Sequence, residues 1–434
     1  MILILIIIIV FLGTLLIKPN WILPFAWIVL LCYPQQLLYE SLPFNAGFDD
    51  IFIIMASLAI CIRYWNRYAI RRSRTLLLII FGLYIMQGVS ELIGLIQFPD
   101  LAIVTIKSSL KGLVLILFVV ALVLDIKREK GIQRHLILMI TAITIAYMIV
   151  IISYFVPAAS SLWEVRSSDT RYSLTMASNR TFGPFNGPAE AGGFACIAVP
   201  LVIGSLLYFW KKRQIRTLMI VSTTIIVTAT VIISKSRSAI IALGLMLAAA
   251  IIITRKRWYI IALGLALFSI ISYFLYKDVL SIDPVTERFS SIIFNEGFTT
   301  RVDIWKIVMQ HPPKYLFFGP GSGAFYYEVG VSPHNGYLDM FYCWGLFGVI
   351  MFSLLGYYCL KWSKWVMKNG KSSSAAGAAW GLYWGVIALA IASITTDPWY
   401  MELLRVLLFG LLVIVHHCYS PAKTIVSGYK GQLK

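Results

Sequence analysis

Three arginines and one histidine stand just outside apolar runs of this chain: Arg180 in "NRTFGPFNGPAEAGG", Arg237 in "SKSRSAII", Arg301 in "TTRVDIWKIVMQ" and His334 in "VSPHNGYLDM". Guanidinium forks match phosphate oxygens bidentately and stay charged whatever their burial. His334 heads an apolar run, where the positive end of a helix dipole disfavours imidazolium. A neutral imidazole near pH 7 is what a general base requires. Arginines around one histidine, with no DxD-type carboxylate pair in the same segments, suit a departing diphosphate without a divalent ion. Each residue also has a plainer role open to it. Ser332 or Asn335 caps a helix without needing a histidine beside it, and Arg237 taken alone fits an arginine snorkelling to lipid phosphate. Arg301 fits the anchor of an amphipathic helix lying along a membrane, capped by Thr299 or Thr300, with Val302, Trp305 and Met309 on one face. The four together, at the openings of different apolar runs, favour a site.

The elements that must position them follow from composition. Of 434 residues 59% are hydrophobic and only 13% charged, with a mean hydropathy of +0.83. A soluble chain cannot hide that much apolar surface, whereas repeated runs of ~20 apolar residues match a bilayer's hydrocarbon thickness. The runs are continuous and do not alternate, so they are helices and not barrel strands. They lie near residues 2–17, 21–38, 49–66, 75–97, 105–125, 134–157, 188–210, 216–234, 237–254, 257–276, 337–361, 377–396 and 400–417. The expected fold is all-α and polytopic, with about 12–13 transmembrane helices by the length criterion. The count turns on run 21–38, which is weak before "YPQQ" and fits a re-entrant segment as well as a span.

The net charge of +18 comes from short basic clusters between the runs: "RYWNRYAIRRSR", "KREKGIQR", "KKRQIR", "RKR" and "KWSKWVMKNGK". All fall on one side and mark it as cytoplasmic. No soluble basic domain exists to bind nucleic acid. The other side receives two long segments, 158–187 and 277–336, rich in aromatic residues and expected to be ordered, carrying short interfacial helices. It also receives the turns "SKSRS" and "TTDPWY", the second of which holds Asp397, placed to orient or charge-balance an arginine. Six cysteines form no CxxC pair, which indicates neither a zinc site nor a disulfide framework. The N-terminal "MILILIIIIVFLGTLLIKPN" lacks a basic n-region and reads as a retained span. His311, before Pro312 and Pro313, reads as a helix C-terminal residue. "FGPGSGAF" reads as a tight turn between interfacial segments before it reads as a phosphate cradle. Glu91, Asp339 and Glu402 lie in or near spans, where carboxylates are functional candidates, although packing pairs with cations such as Arg405 serve equally.

In order along the chain, "RTFGPFNGPAEAGGFACIAVPL", "SKSRSAIIALGLMLAA", "TTRVDIWKIVMQHPPKYLFFGPGSGAF" and "SPHNGYLDMFYCWGLFGVIMF" resemble the O-antigen ligase/polymerase superfamily of bacterial envelope enzymes, of the WaaL/Wzy type. The resemblance covers roughly residues 175–360 and divides the chain into N-terminal helices with the first part of an outer loop (1–174), a catalytic core (175–360) and C-terminal helices with a cytoplasmic tail (361–434). It implies a GT-C-like, metal-independent glycosyltransferase without cofactor, at the extracytoplasmic face of the bacterial inner membrane. Such an enzyme takes a glycan from an undecaprenyl-diphosphate carrier and passes it to an acceptor hydroxyl with inversion. The resemblance assigns Arg237 and Arg301 to the diphosphate and His334 to the acceptor, as the catalytic set. It suggests Arg180, Asn335, Tyr337 and Asp397 as substrate contacts. Polymerisation of lipid-linked repeats, with a chain-length regulator as partner, is the leading expectation. Ligation to lipid A-core, a wall polymer or protein uses the same chemistry. A flippase would instead show repeated halves and charges at mid-membrane.

Overall fold

The computed structural model describes residues 21–32, 48–126, 129–156, 184–185, 188–209, 222, 241–246, 304–306, 316–329, 334–370, 372–394 and 402–431. Among them the chain is helical throughout its regular structure, with no strand. The helices are α1 (Ile22–Cys32), α2 (Phe48–Tyr64), α3 (Arg67–Arg72), α4 (Arg74–Gln97), α5 (Ala102–Asp125), α6 (Glu129–Phe155), α7 (Pro188–Phe209), α8 (Ala324–Val329), α9 (Gly336–Asn369), α10 (Ser373–Ala392) and α11 (Glu402–Gly431). Within the described residues six stretches are long and apolar enough to cross a membrane: Arg74–Gln97, Thr105–Asp125, Lys130–Ser153, Glu190–Tyr208, Gly336–Asn369 and Ser373–Ala392. The chain is an all-α polytopic membrane protein. The expected runs at 2–17 and 257–276 lie outside the described residues, as does most of those at 216–234 and 237–254.

α7 and α9 both run antiparallel to α10, and the bundle has two distinct ends. One gathers Arg63, the α3 arginines Arg67, Arg71 and Arg72, Arg74 at the start of α4, and Lys368 in the last turn of α9. Contacts close this basic end. Arg72 Nη2 donates to the His417 carbonyl at 3.1 Å, and Trp362 meets His416 edge-on at 4.5 Å. At the same end Trp27 Nε1 donates to His135 Nδ1 at 3.2 Å, and His135 Nε2 lies 2.8 Å from Asp125 Oδ2. An indole nitrogen can only donate, so Nδ1 is the acceptor and the ring proton sits on Nε2, facing the carboxylate. His135, next to the basic cluster "KREKGIQR", is fully buried as the middle member of a polar chain joining α1, α6 and α5.

Packing in the interior relies on small residues, as expected where lipid tails are as apolar as the side chains. The antiparallel pair α7 and α10 shows this best. A Cβ on Gly381 would lie 2.5 Å from Leu201 Cα, and one on Gly377 3.0 Å from Ser205 Cα. One turn beyond, Gly385 meets Ile197. Spacing of four residues keeps this stripe on one face of α10, and the two backbones approach as closely as they do because no side chain stands between them. α7 is buried along nearly its whole length, so this seam forms the centre of the bundle on which α9 and α11 also rest.

Candidate functional site

At the end of the bundle opposite the basic residues, α9 begins. Asn335, with extended backbone (φ −145°, ψ 108°), caps it. Its Oδ1 accepts from Tyr337 N at 3.1 Å and Leu338 N at 3.2 Å. Asn335 is thus the cap, and His334 stands one residue outside the helix, exposed, with φ 48°. Few residues other than glycine enter this left-handed region, although histidine does so more readily than most. It carries a strain of roughly 1–3 kcal/mol that the surrounding structure must hold in place.

Two ties do so. Gly336 N donates to the Ser393 carbonyl at 2.8 Å, and the Tyr337 hydroxyl donates to the Ala390 carbonyl at 2.7 Å. Both acceptors lie at the end of α10, where the last carbonyls of a helix have no partner of their own. The start of α9 is therefore pinned to the end of α10, and the imidazole sits on a fixed platform. Asp339, in the first turn of α9, is buried, with its backbone N–H on the Asn335 carbonyl at 2.9 Å. A carboxylate there suits the positive end of the helix dipole. The Cys343 thiol lies 3.7 Å from Asp339 Oδ1.

Ten residues further along, α9 is broken. Gly345 has φ 67° and ψ −166°, and the helix's own hydrogen bonds cannot form across it. Residues 316–323, the glycine-rich "FGPGSG" segment with its flanks, fill the gap. Leu346 N donates to the Leu316 carbonyl at 2.9 Å, Phe347 N to the Phe317 carbonyl at 3.2 Å, and Gly321 N to the Cys343 carbonyl at 2.8 Å. Non-helical backbone at membrane depth is tolerated only where every polar group finds such a partner. The tight turn expected between interfacial segments is thus an inserted segment, packed between α4 and α9. A Cβ on Gly94 of α4 would lie 2.0 Å from the Pro320 carbonyl oxygen, and one on Gly345 2.5 Å from that of Phe317. Its far end is held by the buried pair Ser322–Glu91, the hydroxyl donating to Glu91 Oε1 at 2.5 Å. Beyond it Tyr327 of α8 donates to Asp100 Oδ2 at 2.8 Å, which pushes the phenol above its usual pKa.

Of the residues singled out from sequence, His334, Asn335 and Tyr337 fall within one helix start. Arg180, Arg237, Arg301 and Asp397 lie outside the described residues. Of the helix expected around Arg301, only residues 304–306 are described, and they are helical. Sequence reasoning missed the break in α9 and the segment that fills it. The signal was present in Gly319, Gly321, Gly323 and Gly345, three of which adopt positive φ.

Fold and site together define a polytopic helical membrane protein that presents a strained histidine at a pinned helix start. Residues 222–353 match the family model Wzy_C, described as O-Antigen ligase. Over that stretch the match supports the resemblance to the O-antigen ligase/polymerase superfamily. No curated protein matches the chain.

Proposed function

We propose that this protein transfers a glycan from an undecaprenyl-diphosphate carrier to the acceptor hydroxyl of a second lipid-linked repeat, building a surface polysaccharide. The acceptor oxygen attacks the anomeric carbon and its proton passes to the His334 imidazole. The bond from that carbon to the diphosphate oxygen breaks, and the electron pair leaves on the phosphate. Arg237 and Arg301 hold the developing charge, and Arg180 and Asp397 serve in binding and charge balance. The displacement is single and inverting, and the core that performs it spans residues 175–360.

The observation that carries this reading is His334 itself, exposed in a left-handed conformation on a helix start tied to α10 at two points. A cap alone requires none of this, because Asn335 already provides it. Charge supports an extracytoplasmic face for the site, because the basic residues gather at the opposite end and lysine and arginine favour the cytoplasmic side. Ligation of a finished glycan to a different acceptor is the second reading, favoured by the description of the matching family model.

One assay separates these. Purified protein in lipid is given a single lipid-linked repeat. Polymerisation produces a ladder, whereas ligation produces product only when a second acceptor is added. His334→Ala abolishes either product while insertion is retained, and Arg237→Lys or Arg301→Lys remains poor because the fork is lost. A normal product pattern from His334→Ala refutes the proposed base.

A further inference from the structure

Glu91 is a carboxylate inside a span, 1% exposed, with Ser322 as its hydrogen-bonded partner through Oε1. It stands six residues before the end of α4 at Gln97, about 9 Å along the axis at the helical rise. Among the described residues no arginine or lysine forms an ion pair with it. Placing a carboxyl group there costs several kcal/mol in most accounts, and the polar groups around it, Ser322 with the side chains of Ser108 and Gln87, return only part of that. An apolar side chain would pack α4 with less cost, so burial by itself does not account for this residue.

Its surroundings do. Gly321, at φ 87°, lies directly over the carboxylate, where an added Cβ would sit 2.9 Å from Glu91 Oε2 and 3.0 Å from the Ser90 carbonyl oxygen. The neighbouring N–H of that same Gly321 closes the break in α9 through the Cys343 carbonyl. The chain of contacts therefore runs from Glu91 to Ser322, through Gly321, to the point where α9 changes direction. On the far side of that point lies the nine-residue half-helix Gly336–Trp344, with His334 at its tip. We propose that Glu91 is a positioning residue for glycan transfer: through Ser322 it locks the inserted segment in the break of α9 and so aims the half-helix that carries His334. This rests on the function proposed above.

Glu91→Gln keeps an oxygen that accepts from Ser322. Glu91→Leu keeps the volume and removes the acceptor, and Ser322→Ala removes the donor. Loss of one positioning hydrogen bond is expected to lower kcat about tenfold, the equivalent of ~1.4 kcal/mol, with KM for the donor unchanged. Glu91→Gln stays close to wild type, and Glu91→Leu combined with Ser322→Ala is no worse than Glu91→Leu alone. A second measurement needs no activity. Spin labels at His334→Cys and Ile96→Cys report the distance from the histidine position to the end of α4, and its distribution broadens in Glu91→Leu and Ser322→Ala but not in Glu91→Gln. Wild-type kcat and an unchanged distance in both Glu91→Leu and Ser322→Ala overturn the proposal. So does equal loss in Glu91→Gln and Glu91→Leu, which would make charge the relevant property. If Glu91→Leu fails to fold, Ser322→Ala carries the same test. Absence of transfer by the wild type would sink the function proposed above, while the distance measurement would still decide the role of Glu91 in aiming the helix.

Discussion

Replacing Gly345 with alanine tests whether the break in α9 is built into the native state. The residue sits at φ 67°, ψ −166°, a region that is essentially glycine's alone and costs other residues roughly 1–3 kcal/mol. The new Cβ would also lie 2.5 Å from the Phe317 carbonyl oxygen, inside van der Waals contact, so the inserted segment must move as well. Taking ~2 kcal/mol, the local opening equilibrium rises about thirtyfold. Hydrogen exchange by mass spectrometry reads this directly, because Leu346 and Phe347 donate to Leu316 and Phe317 rather than within their own helix. Peptides covering those amides should exchange about thirtyfold faster, and the thermal midpoint should fall. The same substitution at Gly356, on the same helix with nothing within 4 Å of its added Cβ, is the control. There alanine gains up to ~1 kcal/mol in helix propensity, and exchange slows or holds. If Gly345→Ala matches Gly356→Ala in both exchange and melting, α9 runs straight through and the account of the inserted segment is wrong.

Trp27→Phe leaves His135 Nδ1 buried without its donor and should cost about 1–3 kcal/mol; an unchanged melting midpoint would contradict the assigned tautomer. Gly381→Leu places a side chain where Leu201 Cα lies 2.5 Å from the added Cβ. It should part α7 from α10 and abolish monodisperse protein on size-exclusion chromatography, with normal elution as the contrary result. Tyr337→Phe removes the 2.7 Å bond to Ala390, worth about 0.5–1.5 kcal/mol. It should speed exchange at the start of α9 while leaving the basic end untouched, and uniform exchange across the helix would speak against a local pin.

The helical class and the positions of the described spans were legible in the sequence because each is a local property. Apolar length sets a span, and a cluster such as "RYAIRR" marks an end. The candidate helix start at His334 was equally legible, since asparagine before a run of helix formers is a cap in almost any context. "FGPGSGAF" was not legible in this way. Its glycines signal a turn, but nothing in them says that the turn's N–H and carbonyl groups will be consumed by a helix more than twenty residues downstream. Glu91 likewise announces only a costly carboxylate. Its partner is 231 residues away in sequence.

By itself, then, the sequence determined that this chain lives in a bilayer, which end of its helices is basic, and which histidine heads a helix. Those features depend on hydrophobic length, charge placement and capping, all settled within a turn or two of the residue concerned. The tertiary structure alone decided that α9 bends at Gly345, that residues 316–323 restore the hydrogen bonds the bend removes, and that α10 and Glu91 hold the result in place. In a membrane an unsatisfied backbone group has no water to turn to, so a broken helix exists only together with the distant segment that completes it.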